Sequence, residues 1–320
     1  MAISLVSVVI PSYNHEKYIG KTIDSILGQT VLDLELIIID DGSRDQSVRL
    51  IEAKIRENPT RDVRLISRPN KGICKTLNEG LRLSSGKYFS YCGSDDYWHP
   101  EKLEKQISAL DSLGGNYLAS YTDSFIVDES DNVIGRYSLQ SPFIGGDIYR
   151  DLAIAEFQPT SPTTLFTRKA ILSVGGFNED HFIEDRDLWL RISRIYDVVY
   201  LDEPLAYYRT HGTNTGTSNL VRMRDCTIDA LRRACRVDPL LHAIRHQIEA
   251  KMDAHAAGNH YNVFEMGMAR RLALRSLLAN PFERLAWRTL LFSFLGKGII
   301  EYFRNRRKLR QMADLSVSNR

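Results

Sequence analysis

The sequence predicts an α/β protein: a mostly parallel central sheet with helices on both faces, followed by a C-terminal helical region. Up to about residue 100, short apolar runs rich in β-branched residues alternate with segments of helical periodicity, which is typical of a buried parallel sheet. Beyond about residue 220 the strand-like runs stop and the apolar spacing becomes helical. In a chain of 320 residues we therefore expect two domains, spanning 1–220 and 221–320.

The individual elements follow from the same patterns. Strands are predicted over 3–10, 34–39, 63–66 and 87–92, and helices over 15–30, 45–57 and 77–83. After residue 100 we predict helices over 101–113, 168–174 and 188–195, and strands over 118–127, 133–137, 163–167 and 198–201. Residues 221–310 are predicted to be helical, with breaks at Asp238-Pro239, Gly258-Asn259 and Asn280-Pro281.

Charge divides the chain at the same point. The 42 Lys and Arg against 40 Asp and Glu give a net charge of +2, which does not indicate a nucleic-acid partner, and we expect none. Residues 1–220 hold 23 basic and 31 acidic residues, a net charge of −8, whereas residues 221–320 hold 19 and 9, a net charge of +10. The two parts are therefore expected to have different partners.

The expected location is the cytoplasm. Residues 1–10 lack the basic start of a signal peptide, and the longest apolar stretch, 285–303, is interrupted by three charged residues. A membrane-spanning helix is therefore not expected, while a helix lying on a membrane surface stays open.

The four cysteines lack the spacing of a zinc site or a disulfide framework, and we expect reduced thiols at Cys74, Cys92, Cys226 and Cys235.

Polar segments follow the predicted strands of the first part. They are Pro11–Asn14, Asp40–Ser43, Arg68–Gly72 and Gly93–Asp96. Because ligands of open α/β sheets bind at the carboxyl ends of the strands, we expect these segments to converge on one crevice. Neither a GxGxxG nor a GxxxxGK[ST] pattern occurs, which disfavours a dinucleotide or P-loop site. Each acidic pair is also compatible with a helix cap or a turn.

Two acidic clusters suit particular chemistry. Adjacent carboxylates such as Asp95 and Asp96 offer an incomplete set of oxygen ligands, which Mg²⁺ completes with substrate phosphates. Glu184 and Asp185 open a predicted helix, where acids commonly complement the helix dipole. Near a metal and a diphosphate, the same carboxylates could instead act as a general base for an attacking hydroxyl.

Eight segments in order carry a resemblance to a known family. They are Val8–Asn14, Ser25–Thr30, Glu35–Ser43, Asn70–Gly72 with Asn78, Gly86–Tyr88, Ser94–Leu103, Gly175–Glu179 and Glu184–Arg191. Over roughly residues 4–215 the sequence closely resembles the family 2 glycosyltransferases, which have the GT-A fold. The resemblance implies an enzyme that moves a sugar from a nucleoside-diphosphate donor to an acceptor hydroxyl, usually with inversion. UDP is the nucleotide most common in the family, and dTDP and GDP stay open.

The resemblance also implies roles for individual residues. Donor binding is implied for Pro11 and Tyr13 at the nucleobase and for Asp41, with Asp40 beside it, at the base or ribose. Asp96 corresponds to the ligand of a divalent metal, Mn²⁺ or Mg²⁺, and Asp95 to a residue facing the metal and the donor. Asp185 corresponds to the catalytic base, with Glu184 next to it. His211 corresponds to a late histidine that approaches the metal or the diphosphate in related enzymes.

The sequence departs from the family pattern at two positions. Many members have an Asp-x-Asp-Asp metal motif, and Gly93 stands where the first acid would be. Many also have an arginine directly before the asparagine at position 78, where this chain has Leu77. We expect the segment around Asn70 to supply the missing positive charge to the diphosphate through Lys71 or Lys75.

The basic tail allows two interpretations. Residues 304–310 contain five cations in seven positions and follow an apolar helical segment, which suits peripheral contact with an anionic membrane. The location would then be the cytoplasmic face of the inner membrane, and the acceptor a lipid-linked saccharide, as in the assembly of bacterial surface polysaccharides such as O-antigen, capsule or exopolysaccharide. Alternatively, the helices pack on the catalytic domain or in a homo-oligomer, and the acceptor is a saccharide.

Two other functions compete with sugar transfer. A sugar nucleotidyltransferase usually has a Gly-rich basic loop after its first strand, and residues 11–14 are neither Gly-rich nor basic. A catalytically silent nucleotide-sugar-binding module would not need both acidic pairs. Processive synthesis is disfavoured because no Gln-x-x-Arg-Trp motif follows Trp189.

Overall fold

The computed structural model describes residues 5–139, 144–154, 157–212, 214, 219–295, 298, 299 and 301. The chain divides into two compact units. The first comprises the described residues up to Asp131 and those within 136–149 and 157–209. The second comprises residues 132–135 and the described residues within 150–156 and from Thr210 onward.

The first hundred residues alternate strand and helix, as predicted. The elements are β1 (Val6–Ser12), α1 (Ile19–Leu27), β2 (Leu34–Asp40), α2 (Ser47–Glu57), β3 (Asp62–Ser67), α3 (Ile73–Leu83), β4 (Tyr88–Tyr91) and β5 (Tyr97–Trp98). Every residue of β2 is buried, and β1 is buried except for Pro11. This two-sided burial is why these strands are continuous apolar runs without alternation.

Further elements follow up to residue 209. They are α4 (Lys102–Leu113), β6 (Tyr117–Val127), β7 (Val133–Arg136), α5 (Tyr149–Ala153), β8 (Thr164–Thr167), α6 (Arg168–Ser173), α7 (Asp185–Ser193) and β9 (Asp197–Arg209). The last strand is much longer than the predicted 198–201. It continues through polar residues and Pro204 because it pairs with β6 along its length, with register shifts near Asp123.

The sheet has the order β3-β2-β1-β4-β8-β6-β9-β5. Within the group β1 to β4, each pair of neighbouring strands is parallel, and β6 is parallel to β9. Strand β8 is antiparallel to β4 and β6, and β5 is antiparallel to β9. The sheet is therefore mostly parallel, as predicted, and the carboxyl ends of β1, β2 and β4 lie at one edge.

The core of the first unit lies between the sheet and helices α1, α2 and α4. Fully buried side chains of β1 and β2, such as Ile10 and Ile38, pack with Ile23 and Ile26 of α1 and with Leu103 of α4. Burying each such side chain stabilises the fold by roughly 1.5–3 kcal/mol. This packing fixes the strands and hence the positions of the segments that follow them.

The second unit is helical over most of its described residues. Its helices beyond Thr210 are α8 (Leu220–Val237), α9 (Pro239–Ala243), α10 (Arg245–Asn262), α11 (Met266–Ala279) and α12 (Arg284–Phe292). Asp238 caps α9 by accepting from the amides of Leu240 and Leu241, with Pro239 at the first helical position. No described helix has both the length and the apolar character needed to cross a bilayer.

The predicted break at Gly258-Asn259 was wrong. Helix α10 continues through both residues, because alanines beside them, Ala254 and Ala257, pack in a small core against Leu272 and Leu277. A glycine inside a helix costs only about 1 kcal/mol relative to alanine, which such packing outweighs. The breaks at 238–239 and 280–281 are present, whereas the basic cluster 304–310 lies outside the described residues.

Candidate active site

The carboxyl ends of β1 and β2 are joined side by side. Ser12 lies opposite Asp40 in the parallel register, and the Asp41 amide donates to the Ser12 carbonyl oxygen at 2.8 Å. Asn14 has a φ of 53°, in the left-handed region that asparagine tolerates. Its amide donates to Ser43 Oγ at 2.9 Å. The polar segments after these two strands therefore lie next to each other.

Asp40 holds the turn that follows β2. Its Oδ1 accepts from the amides of Gly42 at 3.2 Å and Ser43 at 3.0 Å, and its Oδ2 accepts from Ser43 Oγ at 2.5 Å. Gly42 has a φ of 83°, and a Cβ there would lie 2.9 Å from the Asn70 amide nitrogen. The buried Asp40 carboxylate is thus engaged in the turn, and its contact with a donor stays a prediction.

Asp41 holds the loop that follows β3. Its Oδ1 accepts from the Lys71 amide at 2.8 Å and its Oδ2 from the Gly72 amide at 2.9 Å. The Arg68 guanidinium forms an ion pair with Asp41 and also donates to Glu79 Oε2 at 2.8 Å. Both side chains of the Asp41–Arg68 pair are nearly buried, at 7% and 10% exposure. This role of Arg68 is not evident from the sequence, because its partner is 27 residues away.

The remaining predicted donor-binding side chains reach solvent. Tyr13 is 46% exposed. Asn70, Lys71 and Lys75 are exposed, and Pro11 is partly exposed near the end of β1. These side chains are accessible to a ligand at the strand ends, and their contacts with it stay predictions.

Asp95 and Asp96 form the acidic pair after β4. Asp96 is 4% exposed, and its Oδ1 accepts from the Arg209 amide at 2.8 Å. An Asp95 oxygen lies 3.9 Å from His15 Nδ1. Burial raises the pKa of Asp96 well above its usual range, and the negative charge of Asp95 raises it further. Arg209 opposes this rise, but burial and Asp95 outweigh it.

Gly93 allows the close approach of these two carboxylates. A Cβ at this position would lie 2.7 Å from Asp95 Oδ1 and 3.2 Å from Asp96 Oδ2. An acid here, as many family members have, would force the two carboxylates to move. The carboxylates of Asp95 and Asp96 therefore occupy the space that a side chain at position 93 would need.

Two further residues at this site, Arg209 and His15, are not evident from the sequence. The Arg209 side chain, 2% exposed, donates to the Asp95 carbonyl oxygen at 2.8 Å and to Asp131 Oδ1 at 2.6 Å. His15 Nδ1 lies 2.7 Å from Ser94 Oγ. Neither residue lies in a distinctive sequence motif. Arg209 reaches this edge of the sheet because β9 extends as far as residue 209.

Glu184 and Asp185 differ although they are adjacent at the start of α7. Glu184 is 8% exposed, and its Oε1 accepts from Ser161 Oγ at 3.0 Å. Burial and the charge of Asp185 raise the pKa of Glu184 to about 7. Asp185 is partly exposed; burial raises its pKa, while the Arg186 charge opposes that rise.

The charges of the two acidic pairs interact with each other. The charge of Glu184 contributes to the raised pKa of Asp96, and the charge of Asp95 contributes to that of Glu184. Burial raises the pKa of the Tyr208 phenol, and the charges of Asp96, Asp95 and Asp185 add to this shift. The four carboxylates therefore converge on one region of the first unit.

His211 belongs to the second unit. Its amide donates to Asn214 Oδ1 at 2.5 Å. Its role as a ligand of a metal or diphosphate stays a prediction.

A mostly parallel sheet with helices on both faces and carboxylates gathered at its strand ends is the architecture of a GT-A glycosyltransferase. The family model for glycosyl transferase family 2 matches residues 7–172. The chain therefore belongs to glycosyl transferase family 2, and it is a glycosyltransferase.

A curated relative supports this membership. The chondroitin synthase of Escherichia coli is 32% identical over 222 residues, which are 68% of this chain and 31% of that protein. The chain thus spans about a third of the length of this relative.

Solved structures support the fold. S. aureus TarS 1–349 in complex with UDP-GlcNAc matches with a TM-score of 0.62 at 17% identity, over 90% of this chain and 89% of that one. The mannosyltransferase PcManGT from Pyrobaculum calidifontis, in complex with GDP-Man and Mn²⁺, matches with a TM-score of 0.61 at 16% identity. That match covers 100% of this chain and 89% of the other.

Proposed function

We propose that the chain is an inverting glycosyltransferase that moves a sugar from a nucleoside-diphosphate donor to an acceptor hydroxyl, with the help of a divalent metal. The observation that carries this proposal is the convergence of Asp95, Asp96, Glu184 and Asp185, in which burial and the charges of neighbouring acids raise the pKa values of Asp96 and Glu184. Like charges gathered in a buried place are costly unless a cation or a proton offsets them. A catalytic site can use this cost, because its carboxylates then bind a metal cation and accept a proton more readily.

The residues present fit a divalent cation. Asp96 and Asp95 supply hard oxygen ligands, which Mg²⁺ and Mn²⁺ prefer, and their mutual repulsion would be relieved by positive charge. We assign Asp96 as the first ligand, with Asp95 beside it and His211 as a further candidate. When bound, the ion would offset the negative charge that grows on the departing diphosphate.

The residues around Asp41 would bind the donor. The Asp41–Arg68 pair holds the loop after β3 in place. Tyr13 and Pro11 would contact the nucleobase, and Lys71 or Lys75 would face the diphosphate. The complexes of TarS with UDP-GlcNAc and of PcManGT with GDP-Man leave both UDP and GDP as candidate nucleotides here.

Asp185 would remove the proton from the acceptor hydroxyl. It is partly exposed, so an acceptor can reach it, whereas Glu184 is buried and bonded to Ser161. Burial raises the pKa of Asp185, which makes its carboxylate a stronger base, and the charge of Arg186 limits that rise. Glu184 would instead position Asp185 and maintain the negative field.

The acceptor is proposed to be a saccharide or lipid-linked saccharide in the assembly of a bacterial surface polysaccharide. The E. coli relative is named a chondroitin synthase, which is a polysaccharide-forming activity. The second unit exposes large apolar side chains, including Leu278 at 87%, Phe282 at 89% and Phe294 at 67%. These would suit peripheral contact with an anionic membrane at its cytoplasmic face.

Donor turnover tests this function. The purified chain, screened with UDP-, GDP- and dTDP-sugars and Mn²⁺, is expected to release nucleoside diphosphate slowly without acceptor and faster with one. EDTA should abolish release, and Mn²⁺ or Mg²⁺ should restore it. Binding of a nucleotide sugar without any release would instead favour a silent binding module.

Asp185→Asn tests the assignment of the base. We expect turnover to fall by about 10²–10⁴-fold, the usual contribution of a general base, while the Kd for the donor changes little. Asp180→Asn, at an exposed position nearby in the chain, is the matched control and should keep full activity. Normal turnover by Asp185→Asn would overturn the assignment.

A further inference from the structure

The second unit contains a cavity of about 160 Å³. It lies where the end of α8 meets α9 and the start of α10. Its walls include Leu231, Arg232, Arg236, His242, Arg245 and Ile248. A volume of this size holds several water molecules, and therefore also a small polyatomic ion.

The rim of the cavity is strongly basic. Arg232, Arg236 and Arg245 line it together with His242, against a single acid, Glu249. Glu249 accepts from Arg232 Nε at 2.8 Å, so this acid offsets one of the three guanidinium charges. Within the described part of the chain, neither Arg236 nor Arg245 forms an ion pair with a carboxylate. Two guanidinium groups thus remain to attract an anion.

The cavity has an apolar floor. Leu231 is 1% exposed, Ile248 is 3% exposed and Cys235 is 6% exposed. The three arginines of the rim are exposed, so an anion can reach them from solvent above this buried apolar floor. The basic residues also act on Glu249. The hydrogen bond from Arg232 and the charges of His246 and Arg245 lower the pKa of Glu249.

Helix α10 adds to the positive field. Arg245 is the first of its 18 residues, and Ile244 before it provides no side-chain cap. The N-terminal end of a helix carries partial positive charge and the C-terminal end partial negative charge, so α10 attracts an anion here while the ends of α8 and α9 oppose it, and the net attraction comes from the arginines.

We propose that this cavity binds a phosphate group. Guanidinium groups bind phosphate oxygens in bidentate fashion, and a doubly charged tetrahedral anion uses several arginines better than a planar carboxylate does. The phosphate would belong either to a soluble phosphorylated molecule or to a lipid headgroup. The site gives a specific role to part of the basic charge of the C-terminal region, and it does not depend on the proposed sugar transfer.

Titration with inorganic phosphate tests the site. The full-length chain should bind phosphate, and the double variant Arg236→Ala/Arg245→Ala should bind it at least about tenfold more weakly, as expected for lost charge-assisted hydrogen bonds. Arg233→Ala is the matched control, because Arg233 lies on the same helix and pairs with Asp229 at 2.8 Å but does not line the cavity. Phosphate bound at the nucleotide site would be unaffected by either variant. Equal phosphate affinity in the double variant and the control would overturn the proposal.

Vesicles identify the source of the phosphate. The same three proteins would be mixed with phosphatidylcholine vesicles containing or lacking phosphatidic acid. If only the double variant loses its preference for phosphatidic acid, the site binds a lipid headgroup. If all three proteins bind the vesicles equally while phosphate affinity differs, the site takes soluble phosphates.

Discussion

Two Asp-Asp pairs follow parallel strands of the same sheet, and their surroundings are opposite. Asp40 and Asp41 accept from turn and loop amides, and Asp41 also pairs with the Arg68 guanidinium. Asp95 and Asp96 lie close enough that the charge of Asp95 raises the pKa of Asp96. The first pair accepts hydrogen bonds from amides and a guanidinium, whereas burial and the charge of Asp95 raise the pKa of Asp96 in the second pair.

The comparison shows that the partners of an acidic pair, more than its place at a strand end, indicate its task. A carboxylate surrounded by amides and a guanidinium is stabilised in its charged form, and it stabilises the loop that supplies those donors. A carboxylate buried beside another is destabilised, and it gains most from a cation. Such destabilisation is more typical of functional sites than of structural ones.

The largest effect should come from Asp96→Asn. We expect turnover with Mn²⁺ to fall by about 10³-fold or more, because a metal contributes several kcal/mol to stabilising a leaving group. Thermal stability in EDTA should rise, because one of two repelling charges is removed while Oδ1 can still accept from the Arg209 amide. Activity assays and thermal unfolding of the same protein measure both effects.

The control for Asp96→Asn is Asp33→Asn, at an exposed position, which should change neither activity nor stability. A loss of stability in Asp96→Asn would show that the second pair is structural after all.

Asp41→Asn should have the opposite effect on stability. We expect a loss of about 3–5 kcal/mol, the usual cost of removing one partner from a buried ion pair, because the amide group of asparagine would meet donors. Asp24→Asn is the control, since Asp24 pairs with Lys54 at the surface and is 54% exposed; its loss should stay below about 1 kcal/mol. Urea unfolding would measure the difference, and similar losses in both variants would contradict a structural role for Asp41.

The sequence was sufficient to predict the order of the strands and helices around this edge. Strands β1, β2 and β4 are buried on both faces, so their apolar runs are distinctive, and the polar segments after them mark where the strands end. The likeness to family 2 glycosyltransferases also came from these segments, because each is short and continuous in the chain and they occur in a fixed order.

The partners of the acids could not be predicted in the same way. Arg68 lies 27 residues from Asp41, and Arg209 lies 113 residues from Asp96. Strand β9 reaches Arg209 only because it pairs with β6 through the polar residues Asp202 and Glu203, which local propensity disfavours. Tertiary pairing therefore decided what the acidic residues contact.

The smallest of these effects should be a pH dependence of stability caused by Glu184. Its pKa in the folded protein is about 7, against an ordinary value of 4.5, mainly because it is buried. Between these values the folded protein keeps a proton that the unfolded chain has released, so stability should fall as the pH rises from about 4.5 to about 7. The loss should be no more than about 3 kcal/mol.

Glu184→Gln separates this contribution from those of other titrating groups. Its amide oxygen can still accept from Ser161 Oγ, but the side chain no longer titrates, so unfolding in EDTA should depend less on pH over this range than in the unmodified chain. Asp180→Asn, exposed and outside the carboxylate cluster, should keep the full slope. If Glu184→Gln kept that slope too, burial and the charge of Asp185 would not raise the pKa of Glu184, which contradicts the repulsion between the carboxylates of this site.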